Sequence, residues 1–298
     1  MFPGQLSART NSLKPSSRDP TTVFPLDGVP LHSVTDDALK ALLESSPILF
    51  RLGDNKIVRL SQDLVLKAGS SVLLCEAEVL RLIAVKLPCL RVPRVHRSFQ
   101  VEDSSKYFGT MGYIVMDYIP GRPLNECWDS LADEARVDIV IQVAQMIRNM
   151  QSTMLSRPGP ISDVPVPSRG QLFTVYSAGP FEGGREMEDW FNHKLKMCQH
   201  YKRAPQDLPP FKFTHFVLTH QDISPRNLIL DSSGQVWMVD WADAGAYPPA
   251  FESAALEYQT GYQDFHTALL MLLPYDHDST EVQQLRSIKF GLSTLAWA

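Results

Sequence analysis

Apolar and polar residues alternate in short runs through the first part of the chain, and polar turns separate the runs. The runs "PILFRL", "KIVRL" and "LVLKAG" are joined by "GDN" and "SQD". Two further runs, "RVPRVHRSFQ" and "GYIVMDYI", follow a stretch with helical spacing over residues 72–87. Short alternating runs bounded by turn residues are typical of strands. The pattern predicts a five-stranded antiparallel sheet with one long helix over residues 48–116.

Beyond this sheet the periodicity becomes helical. Ser130 and Asp133 form a capping signal that predicts a long helix, and "EMEDWFNHKLKMCQHYK" predicts another. Residues 156–185, between these helices, are rich in Pro and Gly, and loops of that length usually have a function or are disordered. Helices are expected to fill the chain from Phe251 onward.

The change of pattern predicts an α+β fold with two lobes. Residues 1–30 are rich in Ser, Pro and Thr without apolar periodicity, so we expect a disordered tail there. A small β-rich lobe is expected over residues 31–116 and a linker over 117–122. A larger, mostly helical lobe is expected over 123–298.

Composition and charge exclude several classes of protein. The formal net charge of -5 offers no basic surface for nucleic acid or for anionic lipid. The four cysteines lack the spacing of a zinc site, which favours reduced thiols in a cytoplasmic protein. No apolar run approaches the length of a membrane span. We therefore expect a cytoplasmic protein without nucleic-acid or membrane partners, and the sequence leaves the oligomeric state open.

Candidate chemistry is concentrated in "LTHQDISPRNLILD", which carries His220, Asp222 and Asn227 between two apolar runs. The turn signal "DSSG" that follows predicts a hairpin, which would bring Asp240 of "VDW" beside Asn227. Amide and carboxylate oxygens suit Mg²⁺ carrying phosphates, and Asp222 would then be left to accept the proton of a hydroxyl group. Each of these residues alone could equally serve turn geometry.

A lysine and a glutamate upstream complete the set that phosphoryl transfer requires. Lys67 ends the third predicted strand, and Glu76 falls on the apolar face of the following helix. A carboxylate on an apolar face is costly unless it is paired, so Lys67 is its expected partner. Glu78 points away from that face, so the helical projection favours Glu76 without excluding Glu78.

These motifs resemble the aminoglycoside phosphotransferase-like, choline-kinase-type family of the protein-kinase-like fold, especially its fungal members. The resemblance spans residues 48–275, and it includes "LTHQDISPRNLILD…MVDW", "VLKAG…EAEVLRLI" and "GYIVMDYIPGRPL". It implies a bilobal protein-kinase-like fold, in which a small antiparallel sheet with one helix precedes a larger, mostly helical lobe.

The resemblance also implies roles for the residues of the central motif. Asp222 would be the catalytic base, and Asn227 and Asp240 would be the ligands of Mg. His220 would brace the loop structurally. The family more often has Gly where this chain has Gln221, although a His-Gln-Asp version is familiar among fungal relatives.

Nucleotide binding is implied in the same way for four other residues. Lys67 would contact the phosphates of ATP or GTP with the support of Glu76, and the backbone of Asp117 and Ile119 would hold the base. The turn over the phosphates is only "GDN" and not a glycine-rich loop, which predicts a weak grip on the nucleotide.

The expected function is that of an ATP-dependent small-molecule kinase acting on a hydroxyl-bearing acceptor. A protein kinase is the nearest alternative, but Trp241 replaces the Phe-Gly that usually follows the metal-binding aspartate, and no Ala-Pro-Glu segment follows. A kinase-like binding module without catalysis is a second alternative, and a hydrolase is a third that lacks a Gly-x-Ser-x-Gly elbow. Asp243 and Glu252 are candidates for contacting a cationic acceptor, or they are solvated acids or helix caps.

Overall fold

The computed structural model describes residues 22–106, 109–273, 279–294 and 296. The chain divides into two compact units, Met1–Leu74 with Pro93–Arg122 and Cys75–Val92 with Pro123–Ala298. Of the predicted tail, residues 1–21 lie outside the described residues. Leu26, in contrast, is buried, and its N–H donates to the Leu60 carbonyl at 2.8 Å. The packed chain therefore begins before residue 31.

The first unit contains the antiparallel sheet that the sequence predicts, with the strand order β1-β2-β3-β5-β4. Its strands are β1 (Ile48–Leu52), β2 (Asn55–Arg59), β3 (Leu64–Gly69), β4 (Val95–Glu102) and β5 (Thr110–Asp117). Gly53 turns the chain between β1 and β2 with φ +61°, a conformation that glycine adopts without steric cost. Strand β3 pairs with β2 on one side and with β5 on the other.

Alternation along β3 separates its side chains onto two faces of the sheet. Leu66 and Ala68 belong to a buried cluster that also contains Leu39 of helix α1 (Asp36–Ser45). Lys67 stands between them in the strand, so its side chain points to the opposite face. The sheet therefore presents Lys67 on the face away from α1.

Helix α1 itself was not predicted from the sequence. Thr35 caps it by accepting the Ala38 N–H at 3.2 Å, and Leu39 and Leu43 are the residues that it buries. Two buried positions in one short helix give only a weak periodic signal in the sequence. The capping residue Thr35 was a stronger signal for this helix than the periodicity.

The second unit is mostly helical. Its helices are α2 (Leu74–Lys86, of which Leu74 is assigned to the first unit), α3 (Leu124–Cys127), α4 (Asp133–Gln151), α5 (Gly184–His200), α6 (Ala250–Tyr258), α7 (Gln263–Leu272), α8 (Thr280–Ser287) and α9 (Lys289–Ser293). Its short strands are β6 (Arg122–Pro123, which begins at the end of the first unit), β7 (Met154–Leu155), β8 (Gly159–Pro160), β9 (Phe216–Thr219), β10 (Leu228–Leu230), β11 (Val236–Met238) and β12 (Gly245–Tyr247). In the described part of the chain, no helix combines the length and apolar character needed to cross a membrane.

Helix α4 begins at Asp133, but the capping signal predicted for it is not used. Its N-cap is Ala132, which forms no side-chain cap, and the Ser130 hydroxyl donates instead to the Cys127 carbonyl at 2.7 Å. Because a short 3-10 turn precedes the helix, Ser130 lies too early in the chain to reach the first turn of α4.

The Pro- and Gly-rich segment between α4 and α5 is anchored to the core. Ser168 and Ala178 exchange two backbone hydrogen bonds, of 2.8 and 3.0 Å, which close a loop that we name the arch (residues 168–178). Leu172 and Phe173 of the arch are buried in the main apolar cluster of the second unit. The two ends of the arch and its buried side chains therefore fix its position within this unit.

Aromatic rings form the centre of that cluster, and Phe251 of α6 contacts four of them. Its ring centroid lies between 5.3 and 6.2 Å from the rings of Phe173, Phe191, Phe213 and Tyr247. A fully buried ring with several aromatic neighbours contributes both apolar burial and favourable ring geometry. Helix α6 is thereby held against the arch and α5.

We expect Phe251→Ala to destabilise the protein by ~3–5 kcal/mol, because it opens a cavity among rings that cannot collapse into it. Chemical denaturation followed by intrinsic fluorescence would measure the change. The matched control is Phe50→Ala, which removes a phenylalanine that is 52% exposed and should change stability by about 0.5 kcal/mol or less. Equal effects of the two substitutions would contradict the assignment of Phe251 to the core.

Candidate active site

The central motif occupies the connection between β9 and β10. All four residues of β9 are buried between β7 and β12, and a 3-10 turn over Pro225–Asn227 leads directly into β10. Strand β10 pairs with β11, with Leu228 opposite Met238, so the predicted hairpin is present. His220, Asp222 and Asn227 are therefore held between two strands, each of which is paired in a sheet of its own.

A buried carboxylate from α6 holds the start of this connection. Glu252 is fully buried, and its two oxygens accept the backbone N–H groups of His220 at 2.6 Å and of Gln221 at 3.0 Å. Burial raises the pKa of Glu252 to about 7, while the two amide donors favour the charged form. Glu252 is thus neither a solvated acid nor a helix cap, and it fixes the backbone of the loop.

Gln221 adopts a left-handed backbone conformation with φ +64°, as does Asp240 with φ +61°. Such values favour glycine, because a residue with a Cβ atom is strained in this conformation. The buried side chain of Gln221 donates to the Asp243 carbonyl at 3.1 Å. This chain therefore offsets the cost of a non-glycine residue with an added hydrogen bond.

His220 bridges the loop and the strand that precedes Asp240. Its Nε2–H donates to the Val239 carbonyl at 3.1 Å, and its Nδ1 accepts the Asp222 N–H at 3.2 Å. Its ring also packs edge-on against Trp241 at 4.7 Å. Complete burial lowers the pKa of His220, which agrees with a neutral ring that uses one nitrogen as donor and the other as acceptor.

The Asp222 carboxylate accepts hydrogen bonds from side chains of its own loop, of the residue that follows α6 and of the arch. Its Oδ1 accepts from the Arg226 guanidinium, from Gln259 Nε2 at 2.8 Å and, at a longer 3.4 Å, from Gln171 Nε2. Its Oδ2 accepts from Asn227 Nδ2 at 2.8 Å. The side chain retains 18% exposure, so it can still meet a ligand.

Asn227 and Asp240 are placed near each other by the backbone. The Val239 N–H, directly before Asp240, donates to the Asn227 carbonyl at 3.0 Å. Because the amide nitrogen of Asn227 is directed at Asp222, its amide oxygen is the atom left for a cation. In the described ranges, no group of three or more His, Cys, Asp or Glu residues is arranged to hold a metal ion. An Asn amide oxygen and an Asp carboxylate oxygen are the kind of donors that suit a Mg²⁺ ion whose remaining ligands are phosphates and water.

A further carboxylate, Asp243, lies close to this group. Burial and the nearby carboxylates of Asp222 and Asp240 raise the pKa of Asp243 to about 6, whereas the positive charge of Arg169 opposes this change. The arch approaches closely here, since a Cβ atom on Gly170 would lie 3.2 Å from Asp243 Oδ2. The arch thus places its residues 169–171 beside the acidic groups of the site.

Gln259 and Gln171 are contacts of Asp222 that sequence reasoning missed. They lie 37 and 51 positions from Asp222 in the chain, one at the end of α6 and the other in the arch. A single glutamine carries no motif, and only folding brings these two to the carboxylate. The Pro- and Gly-rich composition around Gln171 was the one available signal, because long ordered loops are often functional.

In α2, Glu76 and Glu78 have different environments. Glu76 is 1% exposed, whereas Glu78 is partly exposed and forms an ion pair with Arg81 at 2.5 Å. The pairing of Glu76 with Lys67 stays a prediction, since these two residues belong to different units.

The other predicted nucleotide contacts lie in the first unit. Lys67 is flanked by Ile57 of β2 and Ile114 of β5. Asp117 ends β5, and its carboxylate accepts the Arg94 N–H at 3.0 Å and contacts His96 Nε2 at 2.6 Å. Ile119 follows in the buried part of the connection. Their roles in binding nucleotide stay predictions.

Solved structures share the fold of this chain. It is similar to the streptomycin–ATP–APH(2")-IIa ternary complex, with 16% identity and a TM-score of 0.52 over 85% of this chain and 86% of that one. The GDP complex of aminoglycoside 2'-phosphotransferase-IIIa has 12% identity and a TM-score of 0.53, over 85% and 87% of the two chains. A thermostable APH(4)-Ia mutant with ADP and hygromycin B has 14% identity and a TM-score of 0.52, over 85% and 88%. These similarities confirm the predicted α+β, protein-kinase-like fold.

The family of the protein follows from a match of its sequence. No curated protein matches it. The family model described as "APH: Phosphotransferase enzyme family" matches residues 50–257, which include the loop of Asp222, the hairpin and Glu252. Because this match covers well over half of the chain, the protein belongs to the APH phosphotransferase enzyme family.

Proposed function

We propose that the protein transfers the terminal phosphoryl group of a nucleoside triphosphate, ATP by preference, to a hydroxyl group of a small molecule, with Asp222 as the base. The observation that carries this proposal is the placement of the Asp222 carboxylate. It is partly exposed, fixed by several donors and joined through Asn227 to the neighbourhood of Asp240. Phosphoryl transfer depends mainly on such positioning and on charge neutralisation.

In the proposed reaction, the Asp222 carboxylate accepts the proton of the acceptor hydroxyl group. The resulting oxygen attacks the terminal phosphorus, and the bond from that phosphorus to its bridging oxygen breaks. The nucleoside diphosphate then leaves with the bonding electron pair. Asp222 holds the acceptor oxygen in line for this attack, which is the main contribution that a protein makes to this chemistry.

The nucleotide contacts are assigned by the family resemblance. Lys67 is the proposed cation on the phosphates with Glu76 as its support, and the backbone of Asp117 and Ile119 is the proposed contact for the base. Asn227 and Asp240 would hold Mg²⁺, which when bound neutralises phosphate charge.

The acceptor is proposed only by class. Two of the similar structures contain streptomycin or hygromycin B, which are bound by those proteins. For this chain we propose a hydroxyl-bearing small molecule, and we retain the narrower assignment to fungal-type members on the sequence motifs alone. A cytoplasmic location is part of the same proposal.

The direct test is incubation of the purified protein with γ-labelled ATP, Mg²⁺ and a fractionated metabolite extract. Transfer of label to a small molecule by the wild type, and not by Asp222→Ala, would support the proposal and identify an acceptor. Nucleotide binding without any labelled product would favour the kinase-like binding module. Label on added proteins would favour the protein kinase.

We expect Asp222→Ala to lower turnover by on the order of 10²–10⁴ while nucleotide affinity stays close to the wild-type value, because a base acts on the acceptor proton only. Steady-state label transfer and calorimetric titration with nucleotide would measure the two quantities. Asp207→Ala, at an exposed loop position, is the control and should behave as the wild type. Full activity of Asp222→Ala would rule out this residue as the base.

Asp240→Ala should abolish the Mg²⁺-dependent part of nucleotide binding, since one of the two proposed protein ligands is lost. Titration with ATP in excess Mg²⁺ and again in excess chelator would measure that part as a difference. Asp207→Ala should retain the difference in full. An unchanged Mg²⁺ dependence in Asp240→Ala would exclude this carboxylate as a ligand.

Glu252→Ala should lower both thermal stability and turnover, because it leaves the buried N–H groups of His220 and Gln221 without an acceptor. Each such group costs roughly 1–3 kcal/mol. Thermal denaturation and label transfer would measure the two effects. Glu257→Ala on the same helix breaks an ion pair with Arg286 and leaves the N–H groups of His220 and Gln221 bound, so turnover should stay close to the wild-type value. A mild effect of Glu252→Ala would mean that other contacts hold the loop.

A further inference from the structure

The two oxygens of the Asp222 carboxylate have unequal surroundings. Oδ1 receives three donors, from Arg226, Gln259 and Gln171, whereas Oδ2 receives only the Asn227 amide among the residues that the structure describes. A carboxylate oxygen offers about two lone-pair positions. Oδ1 is therefore saturated, and Oδ2 has one position left for a ligand.

Of these donors, Gln259 has a side-chain amide whose nitrogen and oxygen are both held by hydrogen bonds. Its Nε2 donates to Asp222 Oδ1 at 2.8 Å, and its Oε1 accepts from Arg226 Nη1 at 3.1 Å. The second guanidinium nitrogen of Arg226 returns to Asp222 Oδ1, which closes a ring of three side chains. Gln259 is 5% exposed, so water does not replace these bonds readily.

The position of Gln259 in the fold makes this ring rigid. Gln259 follows the last residue of α6, and Phe251 of the same helix lies in the aromatic core. The helix that binds the loop backbone through Glu252 thus also reaches its carboxylate through Gln259.

We propose, on the basis of the proposed function, that Gln259 is a positioning residue that fixes the carboxylate of Asp222 so that Oδ2 accepts the acceptor proton. Gln259 engages Oδ1 and orients Arg226 onto the same oxygen. Rotation of the carboxylate would break three bonds on Oδ1, so Oδ2 stays directed at the acceptor. Its position beside Asn227 places the proton-accepting atom next to the proposed Mg²⁺ ligands.

An amide is required at position 259 because it must donate to a carboxylate and accept from a guanidinium. Gln259→Leu keeps the approximate size and removes both bonds. Gln259→Glu keeps the acceptor for Arg226 but sets a second negative charge against Asp222 Oδ1, which is unfavourable. Gln263→Leu is the matched control, since the exposed side chain of Gln263 bonds only to the Gln259 backbone.

The test measures label transfer from γ-labelled ATP with Mg²⁺ to the small-molecule fraction of a metabolite extract. Gln259→Leu should lower kcat by on the order of 10- to 100-fold with a KM for ATP within about twofold of the wild type, because misplacement of a base affects the reacting step. Gln263→Leu should retain the wild-type kcat. If Gln259→Leu fails to fold, Gln259→Glu serves as the second variant with the same expectation.

A double-mutant cycle separates positioning from a general structural role. In single-turnover reactions, Gln259→Leu should cause no further loss when Asp222 is already Ala, because the residue that it positions is absent. An equal loss in both backgrounds, or an unchanged kcat in Gln259→Leu alone, would overturn the inference while the wild-type activity leaves the proposed function standing. A wild type that transfers no label would overturn both.

Discussion

A buried carboxylate that binds two consecutive backbone amides is the constraint on which the site depends. Glu252 lies within α6 and accepts the N–H groups of His220 and Gln221, each with one oxygen. Burial of a carboxylate is costly, and here charge-assisted hydrogen bonds offset that cost. Because α6 is held in the core by Phe251, the backbone of the loop takes its position from the aromatic cluster. The loop that carries Asp222 is thus anchored in the core.

The strained backbone of the loop at Gln221 is held in place by several hydrogen bonds. Gln221 has a positive φ although it carries a side chain, and such a conformation costs roughly 1–3 kcal/mol unless the surroundings compensate for it. Glu252 holds its backbone N–H, and the Asp243 carbonyl accepts its side chain. His220 adds a second link, from the Asp222 N–H to the Val239 carbonyl. Several bonds therefore determine the direction of Asp222 together.

Local patterns predicted the parts of the fold that depend on local chemistry. The five strands follow from their alternation, and the hairpin after Asn227 follows from its turn residues. Helix α1 was missed because it buries only two residues, and Ser130 was mistaken for a cap because an intervening 3-10 turn was not visible in the sequence. Gln259 carries no local signal at all, since its contact with Asp222 exists only after α6 has packed. Motifs thus indicate the candidate reacting groups, whereas the side chains that support them come from distant elements.

Asn227 links Asp222, the proposed base, to the proposed metal ligand Asp240 through the two halves of one amide. Its nitrogen donates to both the backbone oxygen and Oδ2 of Asp222, so its oxygen is directed elsewhere. An aspartate at this position would supply an oxygen for a cation but would repel Asp222 and lose the donor. An amide meets both requirements, and the Val239 N–H fixes its backbone beside Asp240. Under the proposed function, the spacing from Asp222 to Asn227 therefore reflects one geometric need: the proton acceptor and the cation take their positions from the same side chain.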